Sequence, residues 1–193
     1  METATGENRP TALPSVRVFF ALWPGADEAE ALHRVAVAGT ERFGGRAMRR
    51  DTLHLTLAFI GDVAENRLPA LLAVADGVEA PAGSIDFDRI DYWRHNRLLW
   101  AGCTRTPVVL SQLVESLHQR LGEAGFTLDS RLFVPHVTLA RNMPPPDGDF
   151  LAAWSTKPVA WSYYEFSLVR SPRLSSGATY EKLHSRLLSK SLT

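Results

Sequence analysis

Two histidines, His54 and His136, are each followed two residues later by a threonine, in the stretches His54-Leu55-Thr56-Leu57 and His136-Val137-Thr138-Leu139. In an extended strand successive side chains point to opposite faces. Each stretch therefore sets an imidazole and a hydroxyl on one face and two apolar side chains on the other. One histidine in an apolar strand is more often a hydrogen-bonded core residue than a catalyst. Two copies of one pattern are different, because together they offer two imidazoles and two hydroxyls to a common cleft. With an ordinary pKa of about 6.5, one ring can be neutral and accept a proton while the other is charged and gives one up. In-line displacement at phosphorus needs such a pair: a base beside the attacking water and an acid beside the leaving oxygen. Threonine hydroxyls suit the non-bridging oxygens between them.

Metal chemistry fits these stretches poorly. Each strand brings one good ligand, and no Cys, Asp or Glu stands within either four-residue stretch. Activity without a metal or other cofactor is expected. Asp51 lies near the first stretch but on the opposite face by strand parity, which makes it a turn residue. No Gly-rich phosphate loop or dinucleotide fingerprint is present.

With their flanks, the two stretches resemble the 2H phosphoesterases, named for two His-x-Thr/Ser motifs. Within them they resemble the bacterial and archaeal RNA 2',3'-cyclic phosphodiesterases, also called 2'-5' RNA ligases. Arg17-Val18-Phe19-Phe20-Ala21-Leu22 is similar to the opening strand, and His54-Leu55-Thr56-Leu57-Ala58-Phe59-Ile60-Gly61 to the first signature. Phe133-Val134-Pro135-His136-Val137-Thr138-Leu139-Ala140-Arg141 is similar to the second, and Leu99-Trp100-Ala101-Gly102 to a strand between them. The resemblance runs from Arg17 to Leu183. It implies hydrolysis of the terminal 2',3'-cyclic phosphate of RNA to a 2'-phosphate. It further implies His54 as the acid protonating O3' and His136 as the base activating water, although the near-symmetry of the motifs leaves the reverse open. Thr56 and Thr138 would hold the phosphate, and Arg141 matches a phosphate-binding arginine of many members. Five residues after His136, Arg141 stands on an odd offset and needs a strand end or turn to reach the cleft. Phe59 and Phe19 either wall a base pocket or pack in the core, and Trp93 and Trp100 share that ambiguity. The same site also suits 2'-5' linkages or small cyclic nucleotides, with ligation as the reverse reaction. A nucleotide- or RNA-binding module without catalysis is the reading from another class.

Composition sets outer bounds. The chain has 193 residues, 45% of them hydrophobic, enough for a sizeable core in one domain or two closely joined lobes. One cysteine, Cys103, excludes an internal disulfide and reads as a buried thiol. With 21 basic and 21 acidic residues there is no global field to hold a long nucleic acid, so contact with an RNA terminus or a small cyclic nucleotide should be local. Arg46, Arg49 and Arg50 cluster before the first motif; they either draw an anion toward the cleft or form a solvated loop. The first residues lack an apolar run, and no stretch is long enough to span a bilayer, so a cytoplasmic monomer without membrane contact is expected.

Strands are expected over Val16 to Trp23, Leu53 to Ile60 and Leu132 to Ala140, with Ser84 to Ile90 and Arg97 to Gly102 paired as a hairpin. Tyr163 to Val169 and Ala178 to Leu183 complete the strands. A first helix carries Ala29, Leu32 and Val35 or Ala36, capped by Asp27, and includes His33, which needs no special role. A second carries Leu68, Leu71, Leu72, Ala75 and Val78, capped by Asn66 with Pro69 in its first turn. The third, opened by Thr106-Pro107, carries Leu110, Leu113, Val114, Leu117 and Leu121; His118 falls off that stripe and should be exposed. Strand, helix and motif strand thus recur in each half. The fold expected is α+β: two pseudo-symmetric lobes over residues 16–193, each a small, mainly antiparallel sheet backed by helices, with a central cleft. Residues 1–15 are expected to form a disordered tail, and a doubly wound parallel sheet is the structural alternative.

Overall fold

The computed structural model describes residues 14–153, 158–174 and 177–190. β1 (Ser15–Leu22) leads to α1 (Ala26–Phe43), the short β2 (Arg46–Ala47) and β3 (Leu55–Ala64). α2 (Leu68–Gly77) is followed by β4 (Gly83–Phe87), β5 (Arg89–Trp93), β6 (Leu98–Gly102) and α3 (Val108–Glu123). Then come β7 (His136–Arg141), α4 (Gly148–Ala153), β8 (Val159–Tyr163) and β9 (Glu165–Arg170). The two-residue strands β10 (Arg173–Leu174) and β11 (Gly177–Ala178) precede β12 (Glu181–Leu187).

The main sheet runs β12-β9-β1-β3-β7-β6-β5, with β2 also paired to β7. All of these strand pairings are antiparallel, which excludes the doubly wound alternative. Between β3 and β7 the pairing is a single position, Leu55 opposite Val137. The sheet is thus two half-sheets meeting at a seam: β12, β9, β1 and β3 on one side, and β7, β6, β5 and β2 on the other. Beyond the seam β2 takes over the edge that β3 leaves, with Arg46 and Ala47 opposite Arg141 and Ala140.

Helices back both half-sheets, but crosswise. α1 lies between β1 and β3 in sequence yet packs on β7 and β2 in the other half. α3, which precedes β7, packs on β3, and α2 fills the space between α3 and strands β9 and β12. The buried faces follow helical spacing: Leu32, Val35 and Ala36 on α1, and Leu110, Leu113, Val114, Leu117 and Leu121 on α3. These residues join side chains of both half-sheets in one apolar core. Full burial of each leucine stabilises by roughly 1.5–3 kcal/mol.

Several local expectations change. Ser84 to Ile90 is not one hairpin arm: β4 pairs with β8 in a separate ribbon, and β5 alone pairs with β6. The run from Tyr163 splits between β8 and β9, and the final strand is displaced to Glu181–Leu187. Asp27 lies inside the first turn of α1 rather than capping it, and Asn66 belongs to a preceding 3-10 turn; Pro69 does occupy the first turn of α2. Cys103 is half-buried rather than buried. The expected tail lies outside the described residues as far as residue 13, whereas Ser15 begins β1 and the Pro14 carbonyl accepts from the Glu65 N–H. Among the described residues no helix is long and apolar enough to cross a membrane.

Candidate active site

The seam sets the register of the two motifs. With Leu55 opposite Val137, one step in either direction along antiparallel strands directs His54 toward Thr138 and Thr56 toward His136. Leu55 and Val137 point the other way, into the core, where both are fully buried. All four polar side chains line one cavity of about 470 Å3. The two imidazoles are also held alike. The Nδ1–H of His54 donates to the Thr52 carbonyl at 2.8 Å, and that of His136 to the Val134 carbonyl at 2.8 Å. A carbonyl can only accept, so each neutral ring keeps its proton on Nδ1 and presents a free Nε2.

Phe59 and Arg141 each stand five residues after their histidine, where simple alternation would turn them away from the cleft. Both nevertheless line it. The cause lies in the strands. In β3, Thr56 and Ala58 face the adjacent residues Ala21 and Phe20 of β1, so Leu57 is an extra residue. In β7, Thr138 and Ala140 face the adjacent residues Trp100 and Leu99 of β6, so Leu139 is extra in the same way. Each such bulge reverses the alternation beyond it and returns the fifth residue to the face of the histidine. A bulge also leaves backbone groups outside the ladder. His118 Nε2 bonds the Leu57 carbonyl at 2.9 Å, which explains why this α3 histidine is partly buried and borders the cavity instead of being exposed.

Aromatic rings enclose both imidazoles. Trp23 stacks on His54 with centroids 5.2 Å apart, while Phe19 and Tyr180 approach to 4.9 Å. Trp93 meets His136 edge-on at 4.6 Å, with Trp100 at 6.2 Å. Phe19 and Trp100 are buried and back the histidines, whereas Phe59 is 47% exposed, with its ring open to the cavity and the Arg17 guanidinium 4.8 Å from its centroid. Burial pushes the pKa of His54 down to about 4, against the opposing pull of the Thr52 carbonyl; the charges of His136 and Arg141 lower it further. His136 is also lowered, chiefly by burial.

Arg46, Arg49 and Arg50 do not act as one cluster. Arg49 pairs with Asp51 at 2.8 Å and Arg50 with Glu30 at 2.9 Å, both at the surface, while Arg46 borders a recess beside His54. Asp51 is thus a turn residue, in a 3-10 turn. His33 ties α1 to the Met48 carbonyl at 3.0 Å. Among the described residues no three His, Cys, Asp or Glu side chains form a group that could hold a metal. Sequence reasoning missed Trp23, Tyr180 and Arg17 as site residues and expected His118 to be exposed. Only Arg17 carried a signal, as a polar residue on the parity of Phe19 in an otherwise apolar strand.

The model of the 2'-5' RNA ligase superfamily matches residues 21–173. An RNA 2',3'-cyclic phosphodiesterase of Escherichia coli K12 is 30% identical over 160 residues, covering 80% of this chain and 89% of the relative. One from Thermotoga maritima is 26% identical over 149 residues, covering 74% and 79%. The crystal structure of E. coli LigT complexed with 3'-AMP superposes with a TM-score of 0.78 at 27% identity, covering 92% of this chain and all of that one. A Thermus thermophilus structure at 24% identity, with a TM-score of 0.75 and coverage of 90% and 98%, shares the fold. The twin motifs, the seam that pairs them and these likenesses lead to one assignment: the chain belongs to the 2'-5' RNA ligase superfamily of 2H phosphoesterases, in the RNA 2',3'-cyclic phosphodiesterase family.

Proposed function

We propose that this chain opens the terminal 2',3'-cyclic phosphate of RNA with water to leave a 2'-phosphate, using His54 and His136 as acid and base without a metal. The observation that carries this reading is the matched hydrogen bonding of the two rings, each with Nδ1 tied back to a carbonyl and Nε2 free in one cavity with both threonines. A 2'-phosphate product requires the P–O3' bond to break. Following the family resemblance, His136 takes the proton of the attacking water and His54 gives a proton to O3'. Burial keeps both rings neutral before substrate binds, and the arriving phosphate supplies the negative charge that favours a protonated His54. Thr56 and Thr138 donate to the non-bridging oxygens, Arg141 neutralises the charge that builds on them, and Phe59 stacks on the terminal base. Cytoplasmic action as a monomer belongs to the same reading.

The test is to incubate purified protein with a short RNA ending in a 2',3'-cyclic phosphate, with a chelator present, and to separate 2'- from 3'-phosphate ends. Release of the 2'-phosphate is expected, with His54→Ala and His136→Ala each lowering kcat/KM by about 10²–10⁴. Undiminished activity in the double variant would sink the proposal. A 3'-phosphate product would reverse the leaving oxygen, and tight nucleotide binding without turnover would favour a binding module.

A further inference from the structure

Beside His54 a second recess of about 350 Å3 adjoins the main cavity, and its residues Arg17 and Arg46 take part in no proposed catalytic step. It shares His54, Thr56, Phe59 and Arg141 with the main cavity, so one ligand can occupy both. Its own walls add Arg17, Phe19, Arg46, Ser171 and Tyr180, and no carboxylate is among the described residues that line it. Three guanidiniums in one recess are a concentrated charge on a chain whose formal net charge is zero.

The backbone brings two of them together. Arg46 on β2 is the direct cross-strand partner of Arg141 on β7. Like charges placed opposite one another repel, and a bound anion turns that repulsion into attraction. Among the described residues Arg17, Arg46 and Arg141 form no ion pair, unlike neighbouring Arg49 and Arg50, although Asp62 stands opposite Arg17 in the β1–β3 register. Arg17 and Arg141 both act electrostatically on the Tyr180 phenol, lowering its pKa against the rise caused by burial, so their charges converge on the same wall.

We propose that Arg17, Arg46 and Arg141 form a second anion subsite for a phosphate group other than the one being opened, namely the phosphate on O5' of the terminal nucleotide. Arg141 stands between the two positions. This rests on the cyclic phosphodiesterase reading for the placement of the first phosphate. The O5' phosphate has two sources, the phosphodiester that continues an RNA chain or the free 5'-phosphate of a mononucleotide, and the recess chemistry suits both.

The test is equilibrium binding by calorimetry, which needs no turnover. The probes are adenosine 2'-phosphate, adenosine 2',5'-bisphosphate and the dinucleotide ApA ending in a 2'-phosphate. The bisphosphate is expected to bind about tenfold or more tightly than the monophosphate, as two or three charge-assisted hydrogen bonds allow. In Arg17→Gln and in Arg46→Gln that ratio should fall to about threefold or less, and in the wild type it should shrink as salt is raised. A wild-type ratio near one, or a ratio that survives both substitutions, overturns the subsite. If either variant does not fold, loss of the wild-type ratio at about 0.5 M salt still supports the subsite, and a salt-independent ratio overturns it. A gain for ApA equal to that of the bisphosphate identifies a chain phosphodiester as the natural occupant; a gain for the bisphosphate alone identifies a mononucleotide. Hydrolysis of cyclic phosphate ends with a ratio of one would retain the proposed function and remove the subsite, and the converse result would do the reverse.

Discussion

His54 carries a cost in the fold that has a measurable sign. Its folded pKa of about 4 lies below the ordinary histidine value near 6.5, because Trp23, Phe19 and Tyr180 shield the ring from water. Between those two values the unfolded chain binds more protons than the folded one. Stability is therefore complete above pH 6.5 and is lost as the pH falls toward 4, by an amount on the order of 3 kcal/mol. His136 adds a loss of the same sign. Urea unfolding at about pH 7 and pH 4.5 should show a larger fall for the wild type than for His54→Asn; equal falls would mean that the ring is not shielded in solution. The histidines and threonines are legible in the sequence because each pair recurs at the strand period. The shielding rings are not. Trp23 lies at the end of one strand and Tyr180 in a loop more than a hundred residues from His54, and no spacing links them.

Bulges and glycines decide what the elements present to the cleft. Alternation alone assigns Phe59 and Arg141 to the wrong face. One additional residue in each strand corrects both, and nothing in the apolar runs around Leu57 or Leu139 marks where it falls. The partial burial of His118 escapes the sequence for a related reason: an apolar stripe shows which way a helix faces, but not that a displaced carbonyl waits at its margin. The Gly44-Gly45 pair, where the chain leaves α1, sets the approach of β2 to β7. Both residues have positive φ, 81° and 96°, but a Cβ on Gly45 would lie 2.8 Å from Met143 Cα, while one on Gly44 would meet only Pro144 at 4.0 Å. Alanine at either site incurs the strained conformation, about 1 kcal/mol or more. Gly45→Ala adds the collision and should lose a further 1–2 kcal/mol, roughly, as β2 moves off β7. Urea unfolding of the two variants checks this, and equal losses would argue against the close approach.

For the whole molecule, the repeated strand, helix and motif strand correctly suggest two related halves. They do not show that the helices cross, because helical spacing records how much of a helix is buried and not against which sheet. Because α1 backs the half-sheet that holds β7 and α3, which precedes β7, backs the one that holds β3, neither half keeps its core alone. One cooperative transition is expected in urea, with far-ultraviolet circular dichroism and tryptophan fluorescence falling together; separated midpoints would show that the halves fold independently. The single Leu55–Val137 pairing has a mechanical consequence. His54 and His136 are the residues immediately before its two members, so they sit at the fulcrum of any rocking between the half-sheets. Displacement grows with distance from a fulcrum, so such rocking would move Phe59 and Arg17 more than it separates the imidazoles.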